Sequence, residues 1–163
     1  MTTDRVLAIF PDLDTAGIER FRARWDPLAA AVPAHITIAF PFTWPGTALS
    51  LAGALRPVLA ACPPFPVELT EPSVWEDEYL FLLLGAGHDQ VRRLHDSVYG
   101  LALPGLQRPA RFVPHMTIGR AAGIVAAGEL SLPVSGLARS LTVYRRDGDG
   151  TRTRELDLPM LAG

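Results

Sequence analysis

The sequence predicts an α+β fold in which short strands dominate, with two main helices and a third, weaker helical segment between them. Short β-branched and aromatic segments are bounded by prolines, as strands often are. Other stretches carry apolar residues three and four positions apart, the spacing of one helix face. A His-x-Thr segment occurs twice, 80 residues apart, each time in a strand-like stretch. This repeat is compatible with two similar halves of a single domain that spans residues 1–163.

The N-terminal part of the chain alternates predicted strands and helices. The predicted elements are a strand over 6–10, a helix containing Ile18, Phe21 and Trp25, a strand over 35–40 and a helix over about 47–60. Pro41 is expected to end the second strand. Gly53 and Pro57 weaken the second helix, which is therefore expected to break early.

The C-terminal part is predicted to contain more strand than helix. The predicted elements are strands over 65–71 and 79–84 joined around 75–78, a helix over 88–101, and strands over 111–120, 132–137, 141–145 and 152–158. The segment Asp147-Gly148-Asp149-Gly150 is typical of a hairpin turn, so the last two strands are expected to pair.

Composition limits the possible functions. With 48% hydrophobic residues and a mean hydropathy of +0.20, a chain of 163 residues can bury an ordinary core without disulfides or metals. The net charge of −2 gives no overall basic surface for long nucleic acid, so an anionic ligand must be bound locally. The absence of lysine excludes P-loop and adenylated-lysine chemistry, and the absence of asparagine excludes a Cys-His-Asn protease.

The chain is expected to work in the cytoplasm. Cys62 is the only cysteine, which excludes an intramolecular disulfide and suits a reducing compartment. The N-terminal apolar stretch is too short for a signal peptide, and the apolar run 79–84 is too short to cross a bilayer. We expect a monomer with no cofactor, no membrane attachment and no required protein partner.

The repeated His-x-Thr segment places polar side chains on one face of each strand. Because side chains alternate along a strand, His35 and Thr37 share a face, and His115 and Thr117 share a face in the second copy. If the two copies are related by an approximate two-fold axis, two imidazoles and two hydroxyls surround one cleft. A tetrahedral phosphate fits such a cleft.

This set of side chains suits phosphoryl transfer. Imidazole titrates near neutral pH, so one histidine can accept a proton from an attacking hydroxyl or water while the other donates a proton to the leaving oxygen. Threonine hydroxyls can donate hydrogen bonds to the nonbridging oxygens, whose charge rises in the transition state. The scheme requires no metal ion.

The two segments resemble the signature of the two-histidine (2H) phosphoesterase superfamily, which includes 2'-5' RNA ligases and cyclic nucleotide phosphodiesterases. That signature is a duplicated His-x-Thr/Ser-x in which x is usually apolar, and here it reads His35-Ile36-Thr37-Ile38 and His115-Met116-Thr117-Ile118. A proline before the second histidine and an arginine after its motif are also common in the family, and Pro114 and Arg120 occupy these positions.

The resemblance implies two pseudo-symmetric lobes, each an antiparallel sheet with helices on the outside, and an active-site groove between the lobes. It implies that His35 and His115 are the catalytic acid–base pair and that Thr37 and Thr117 bind the phosphate.

Three further residues are expected to contact the substrate. Arg120 is expected to add a charge-assisted contact to phosphate, which requires the strand to end or bend at Gly119 because strict alternation would turn Arg120 away. Phe42 and Phe112 flank the two motifs and are expected to line the groove.

Other residues have simpler interpretations. The dipeptides His88-Asp89 and His95-Asp96 resemble those of HD-type metal phosphohydrolases, but residues seven apart lie about 10 Å along a helix, too far to share one ion. We interpret them as solvated helix-surface residues. Trp75 and Tyr79 are interpreted as packing residues that could stack a base, and Arg111 as a surface charge that could extend the phosphate site.

The expected function is that of a metal-free phosphodiesterase or phosphotransfer enzyme acting on 2',3'-cyclic phosphate ends or 2'-5' linkages of RNA or nucleotides. One alternative is a hydrolase of another small nucleotide, such as a cyclic dinucleotide or a 2'-5' oligoadenylate. Another is a non-catalytic module that binds RNA ends on the same fold. Two intact His-x-Thr segments favour turnover over binding alone.

Overall fold

A computed structural model describes residues 3–161, and this range contains three α-helices and eight strands. In chain order these are β1 (Asp4–Ile9), α1 (Ala16–Trp25), β2 (Ile36–Thr43), α2 (Ala48–Ala60), β3 (Phe65–Trp75), β4 (Tyr79–Leu84), α3 (His88–Gly100), β5 (His115–Arg120), β6 (Val134–Ala138), β7 (Ser140–Arg146) and β8 (Arg152–Pro159). The predicted α+β class is confirmed. Within the same range, none of the helices has the length and apolar character needed to span a membrane.

The strands form one antiparallel sheet with the order β6-β3-β4-β5-β2-β1-β7-β8. The central strands, β2 and β5, carry the two His-x-Thr segments. Each lies at the inner edge of a four-stranded lobe, one containing β3–β6 and the other β1, β2, β7 and β8. The predicted two-lobe architecture is confirmed. The lobes are not the two halves of the sequence, however, because the C-terminal β7–β8 hairpin returns to pair with β1.

The two lobes meet through very little backbone pairing. In the described part of the chain, β2 and β5 pair only at Ile36 and Met116. In a regular sheet, neighbouring strands share a hydrogen-bond ladder along their length. A single pair therefore leaves a central seam at which the lobes diverge.

Side chains of α3 form hydrogen bonds with backbone groups of β2 where this strand diverges from β5. His95 Nδ1 donates a hydrogen bond to the Ile38 carbonyl oxygen at 2.8 Å. The Phe40 N–H donates to the Tyr99 hydroxyl at 3.2 Å. Because buried backbone groups need hydrogen-bond partners, these two side chains replace ladder bonds that the diverging strands do not make.

The main hydrophobic core lies on one face of the sheet. Ile36 and Ile38 of β2 and Met116 and Ile118 of β5 are 0% exposed and belong to this core, together with the buried faces of the helices. Alternation along both strands therefore leaves the histidines and threonines on the opposite face.

Prolines lie inside two strands. Pro41 was expected to end β2, but the strand continues beyond it to Thr43. A register shift beside Pro41 forms a bulge, in which Val6 of β1 lies opposite two residues of β2. A bulge tolerates proline, which has no N–H to donate to the ladder. β3 likewise passes through Pro72, beside another register shift, and extends beyond its predicted end to Trp75.

The predicted helix over about 47–60 is confirmed as α2, without the early break expected at Gly53 and Pro57. The helix begins after Thr47, whose side chain accepts a hydrogen bond from the Ser50 N–H at 3.1 Å, and it continues through Pro57 to Ala60. Proline leaves the carbonyl four residues earlier, that of Gly53, without its helical donor. Both residues are exposed, so water can satisfy that carbonyl.

Candidate active site

The two His-x-Thr segments lie side by side at the central seam. The single residue pair that joins β2 to β5 falls in the middle of both segments. Continuing this antiparallel register by one residue in each direction sets His35 opposite Thr117 and Thr37 opposite His115. All four residues line one cleft of about 450 Å³.

His35 immediately precedes β2, and its side chain is partly exposed. Its Nδ1 lies 2.7 Å from the Pro33 carbonyl oxygen. A carbonyl oxygen only accepts, so Nδ1 carries the proton and Nε2 is the ring atom left to exchange a proton with a ligand. Phe10 and Tyr144 flank the ring, with centroids 5.4 and 5.8 Å from that of His35.

His115, the first residue of β5, is more deeply buried, at 8% exposure. Its Nδ1 lies 2.5 Å from the Val113 carbonyl oxygen, so here too Nε2 is the available ring atom. Phe81 stacks almost flat on the ring, with centroids 3.5 Å apart and 14° between the planes. Each histidine is thus held by a carbonyl two residues earlier and by neighbouring aromatic rings.

Burial controls the protonation of both rings. It lowers the pKa of His115 to about 4, against the opposing effect of the hydrogen bond to Val113, and the charge of nearby His35 lowers this pKa further. Burial also lowers the pKa of His35, again opposed by its backbone hydrogen bond. Both imidazoles are therefore mainly neutral at pH 7 in the unliganded protein. An anion bound between them would favour protonation of one ring.

Four arginines line the cleft, and they differ in their partners. Arg22 is paired with Glu19 and Asp26, at 3.0 and 2.9 Å, and Arg146 is paired with Asp4 at 2.6 Å. Arg111 and Arg152 form no salt bridge with any carboxylate in residues 3–161, and the Arg111 guanidinium lies 4.7 Å from the centroid of the Trp75 ring. The cleft therefore contains two guanidinium groups that can bind an anion without breaking an ion pair.

Comparison with known families agrees with this geometry. The family model described as the 2'-5' RNA ligase superfamily matches residues 10–150, a range that includes both His-x-Thr segments. The chain belongs to the 2'-5' RNA ligase superfamily. The resemblance identified from the two motifs is thereby confirmed.

Two bacterial relatives of this superfamily member carry the name "Putative phosphoesterase". The protein of Geobacillus kaustophilus (strain HTA426) is 32% identical over 102 residues, and that of Geobacillus thermodenitrificans (strain NG80-2) is 31% identical over 102 residues. Each match covers 61% of this chain and 58% of the relative. The matched region thus spans less than two thirds of either relative.

Solved structures of E. coli LigT share the fold of this superfamily member. The LigT complex with 3'-AMP has a TM-score of 0.65 and 19% identity, covering 99% of this chain and 100% of that chain. The complex with ATP has a TM-score of 0.62 and 19% identity, with the same coverage. At this level of identity the likeness concerns the fold.

Two residues predicted to contact substrate lie outside the cleft. Phe42 is 3% exposed and belongs to the main core. A register shift near Gly119 does bend β5, as the prediction for Arg120 required, and Arg120 pairs across the strands with Tyr79. The Arg120 guanidinium, however, forms an ion pair with Glu78 at 2.9 Å and lies 4.9 Å from the Tyr79 ring centroid. Phe42 and Arg120 are therefore not among the residues that line the cleft.

Phe112 lines the cleft as expected, and it is supported from behind by His95. The two rings stack with centroids 3.6 Å apart and 3° between the planes. The interpretation of His95 as a solvated residue is wrong, because the residue is 2% exposed and faces β2.

Residues 3–161 contain no group of three or more His, Cys, Asp or Glu side chains arranged to hold a metal ion.

Other residues that line the cleft do not belong to a sequence motif. Tyr144 and Arg152 come from the C-terminal hairpin, which reaches the site only because β7 pairs with β1. Alternation in β7 could have indicated that Tyr144 faces away from the core, but not that it faces His35. Trp75 and Tyr79, interpreted from the sequence mainly as packing residues, also line the cleft.

Proposed function

We propose that this superfamily member is a phosphodiesterase or phosphotransfer enzyme acting on 2',3'-cyclic phosphate ends or 2'-5' linkages of RNA or nucleotides. The observation that carries the proposal is that His35 and His115 share one cleft, each with Nδ1 bound to a carbonyl and Nε2 available. Family membership and the phosphoesterase names of the relatives support an activity of this general kind.

The proposed chemistry is general acid–base catalysis by the two imidazoles. In hydrolysis of a 2',3'-cyclic phosphate, Nε2 of one histidine accepts a proton from water while the water oxygen bonds to phosphorus. The bond between phosphorus and one ribose oxygen breaks, and Nε2 of the other histidine donates its proton to that oxygen. In ligation, a 5'-hydroxyl replaces the water. The Thr37 and Thr117 hydroxyls donate hydrogen bonds to the nonbridging oxygens.

The size and charge of the cleft favour a nucleotide or an RNA end over long nucleic acid. A volume of about 450 Å³ is typical of small-molecule sites. The net charge of −2 gives no general attraction to a polyanion, so Arg111 and Arg152 would provide the local positive charge. Phe112 and Trp75 offer aromatic surfaces on which a base can stack. The LigT structures with 3'-AMP and ATP support a nucleotide-sized ligand.

A panel assay tests the proposal. Nucleoside 2',3'-cyclic phosphates, an RNA with a 2',3'-cyclic end and a 2'-5'-linked dinucleotide are incubated with wild type, His35→Ala, His115→Ala and the control His88→Ala. We expect wild type and the control to turn over at least one substrate, and both active-site variants to lose that activity. Binding without turnover of any panel member would instead indicate a non-catalytic module. Preference for a cyclic dinucleotide or 2'-5' oligoadenylate would support the small-nucleotide alternative.

A further inference from the structure

The same backbone arrangement precedes both active-site histidines. In each lobe the histidine Nδ1 bonds to the carbonyl two residues earlier, at Pro33 or Val113. In each lobe the next carbonyl upstream, three residues before the histidine, accepts a hydrogen bond from an arginine on a helix. The cradle of each ring therefore consists of two successive carbonyl groups, one bound by the imidazole and the other by a guanidinium.

In the first lobe this arginine is Arg22 of α1, which is 1% exposed. Its Nη2 donates to the Val32 carbonyl oxygen at 2.9 Å. Two carboxylates hold the guanidinium, because Nη1 lies 3.0 Å from both Glu19 oxygens and Nε lies 2.9 Å from Asp26. Glu19 also accepts a hydrogen bond from the Ala34 N–H at 2.6 Å. The network thus holds the chain directly before His35 at two points.

In the second lobe the arginine is Arg92 of α3, which is exposed. Its Nη2 donates to the Phe112 carbonyl oxygen at 3.3 Å. No carboxylate in residues 3–161 forms a salt bridge with Arg92. One turn further along the same helix, His95 stacks on the Phe112 ring, so α3 holds Phe112 by both its backbone and its side chain.

We propose that Arg22 and Arg92 are a matched pair of positioning residues that fix the two imidazoles through the backbone segments preceding them. The inference rests on the proposed function, in which these two rings exchange protons with the substrate. Rotation of either segment would move the carbonyl that orients the ring and so displace Nε2. Proton transfer depends strongly on the distance and direction of the transferring atom, so the predicted consequence is a lower kcat with little change in KM.

Arg92 gives the clearer test, because it is exposed and its neighbour provides a matched control. Arg92→Gln is compared with Arg93→Gln, which removes the same charge at the next position of α3. We expect Arg92→Gln to lower kcat by roughly threefold to tenfold, as a small misplacement of a reacting group would do, with KM and Tm unchanged. Arg93→Gln is expected to match wild type. Arg92→Lys should recover part of the loss, because an ammonium group can still donate to the carbonyl.

A second measurement does not depend on turnover. In ¹⁵N-labelled protein, the Nδ1–H proton of each histidine is followed by its rate of exchange with water. Arg92→Gln should accelerate exchange at His115 and leave His35 unchanged, whereas Arg22→Lys should do the reverse and lower kcat more than Arg92→Gln does. Equal kcat values and equal His115 exchange rates in Arg92→Gln and Arg93→Gln would overturn the inference. If wild type turns over no phosphate ester, the proposed function fails, while the exchange rates still decide the inference.

Discussion

The two histidines of the cleft come from matching segments but lie in different surroundings. His35 is partly exposed, is flanked by Phe10 and Tyr144, and has Arg22, Asp26 and Arg152 near enough to influence its pKa. His115 is buried against the face of one ring, and the charge of His35 lowers its pKa.

The difference shows that the same motif, present once in each lobe, can hold two histidines in different electrostatic surroundings. The register, the Nδ1 bond and the neighbouring threonine are common to both copies, and they fix the geometry. The aromatic and charged neighbours come from elsewhere in the chain and set the proton affinity. General acid–base catalysis by two groups requires one protonated and one unprotonated ring, so unequal surroundings are an advantage.

The largest expected effect follows removal of either imidazole. His35→Ala and His115→Ala are each expected to lower kcat by roughly 10²–10⁴, the usual contribution of a general acid or base. The rate of cyclic phosphate hydrolysis measures this, with His88→Ala as the control. If only one of the two variants lost activity, the two histidines would not act as a pair.

The deeper burial of His115 should appear in the pH dependence of stability. Its pKa is about 4 in the folded protein and about 6.5 in an unfolded chain, so the unfolded state binds more protons between these values. Stability is therefore expected to fall as the pH is lowered through this window, by roughly 2–3 kcal/mol between pH 7 and pH 4.5 from this residue alone. His35 contributes in the same direction.

Urea unfolding at the two pH values measures the change. His115→Gln, which keeps a polar side chain but does not titrate, should lose less stability on acidification than wild type. An identical loss in both proteins would mean that His115 is not the group responsible.

A third prediction concerns the rings that pack on each histidine. Phe81→Leu should admit water to His115 and raise its pKa, because burial is the main cause of the lowered value. The acid limb of the kcat/KM profile is then expected to move to higher pH, by up to about one unit. Phe10→Leu should move it less, since the Phe10 ring is tilted and its centroid lies 5.4 Å from that of His35, whereas Phe81 stacks on His115 at 3.5 Å. A larger shift of the acid limb in Phe10→Leu than in Phe81→Leu would contradict this prediction.

The smallest expected effect is that of a chelator. The paired-histidine scheme uses no metal ion, so the rate in EDTA should equal the rate without it. Measurement after dialysis against EDTA, followed by assay with and without added Mg²⁺ or Zn²⁺, checks this. Loss of activity in EDTA that a metal ion restores would contradict the scheme for both histidines at once.

The local features of this fold could be predicted from the sequence. Helical spacing indicated α3 within one residue of its observed end, and the alternation of His35 and Thr37 with Ile36 and Ile38 correctly separated the polar face from the core. These features depend on neighbouring residues alone. The prediction for Pro41 failed because the bulge that accommodates it involves a partner strand.

The remainder of the site depends on contacts between distant parts of the chain. Arg152 reaches the cleft only through the topology of the C-terminal hairpin, and Phe42 leaves it because of core packing. The position of Arg120 could not be predicted from its own strand, because Glu78, in the turn between β3 and β4, pairs with it. The helical spacing of Val91, Leu94 and Val98 could have indicated that His95 lies on the buried face of α3, but not which strand its ring nitrogen contacts.

The narrow seam between β2 and β5 also determines what sets the width of the cleft. A continuous ladder would fix the spacing of the two lobes by backbone hydrogen bonds, but here a single residue pair joins the two strands. The lobes are otherwise held together by the core that they share, by the packing of α1 on β5, by the bridge between Asp12 and Leu137, and by the hydrogen bonds that His95 and Tyr99 of α3 form with β2. The space available to a ligand is therefore set largely by residues that lie outside the two His-x-Thr segments.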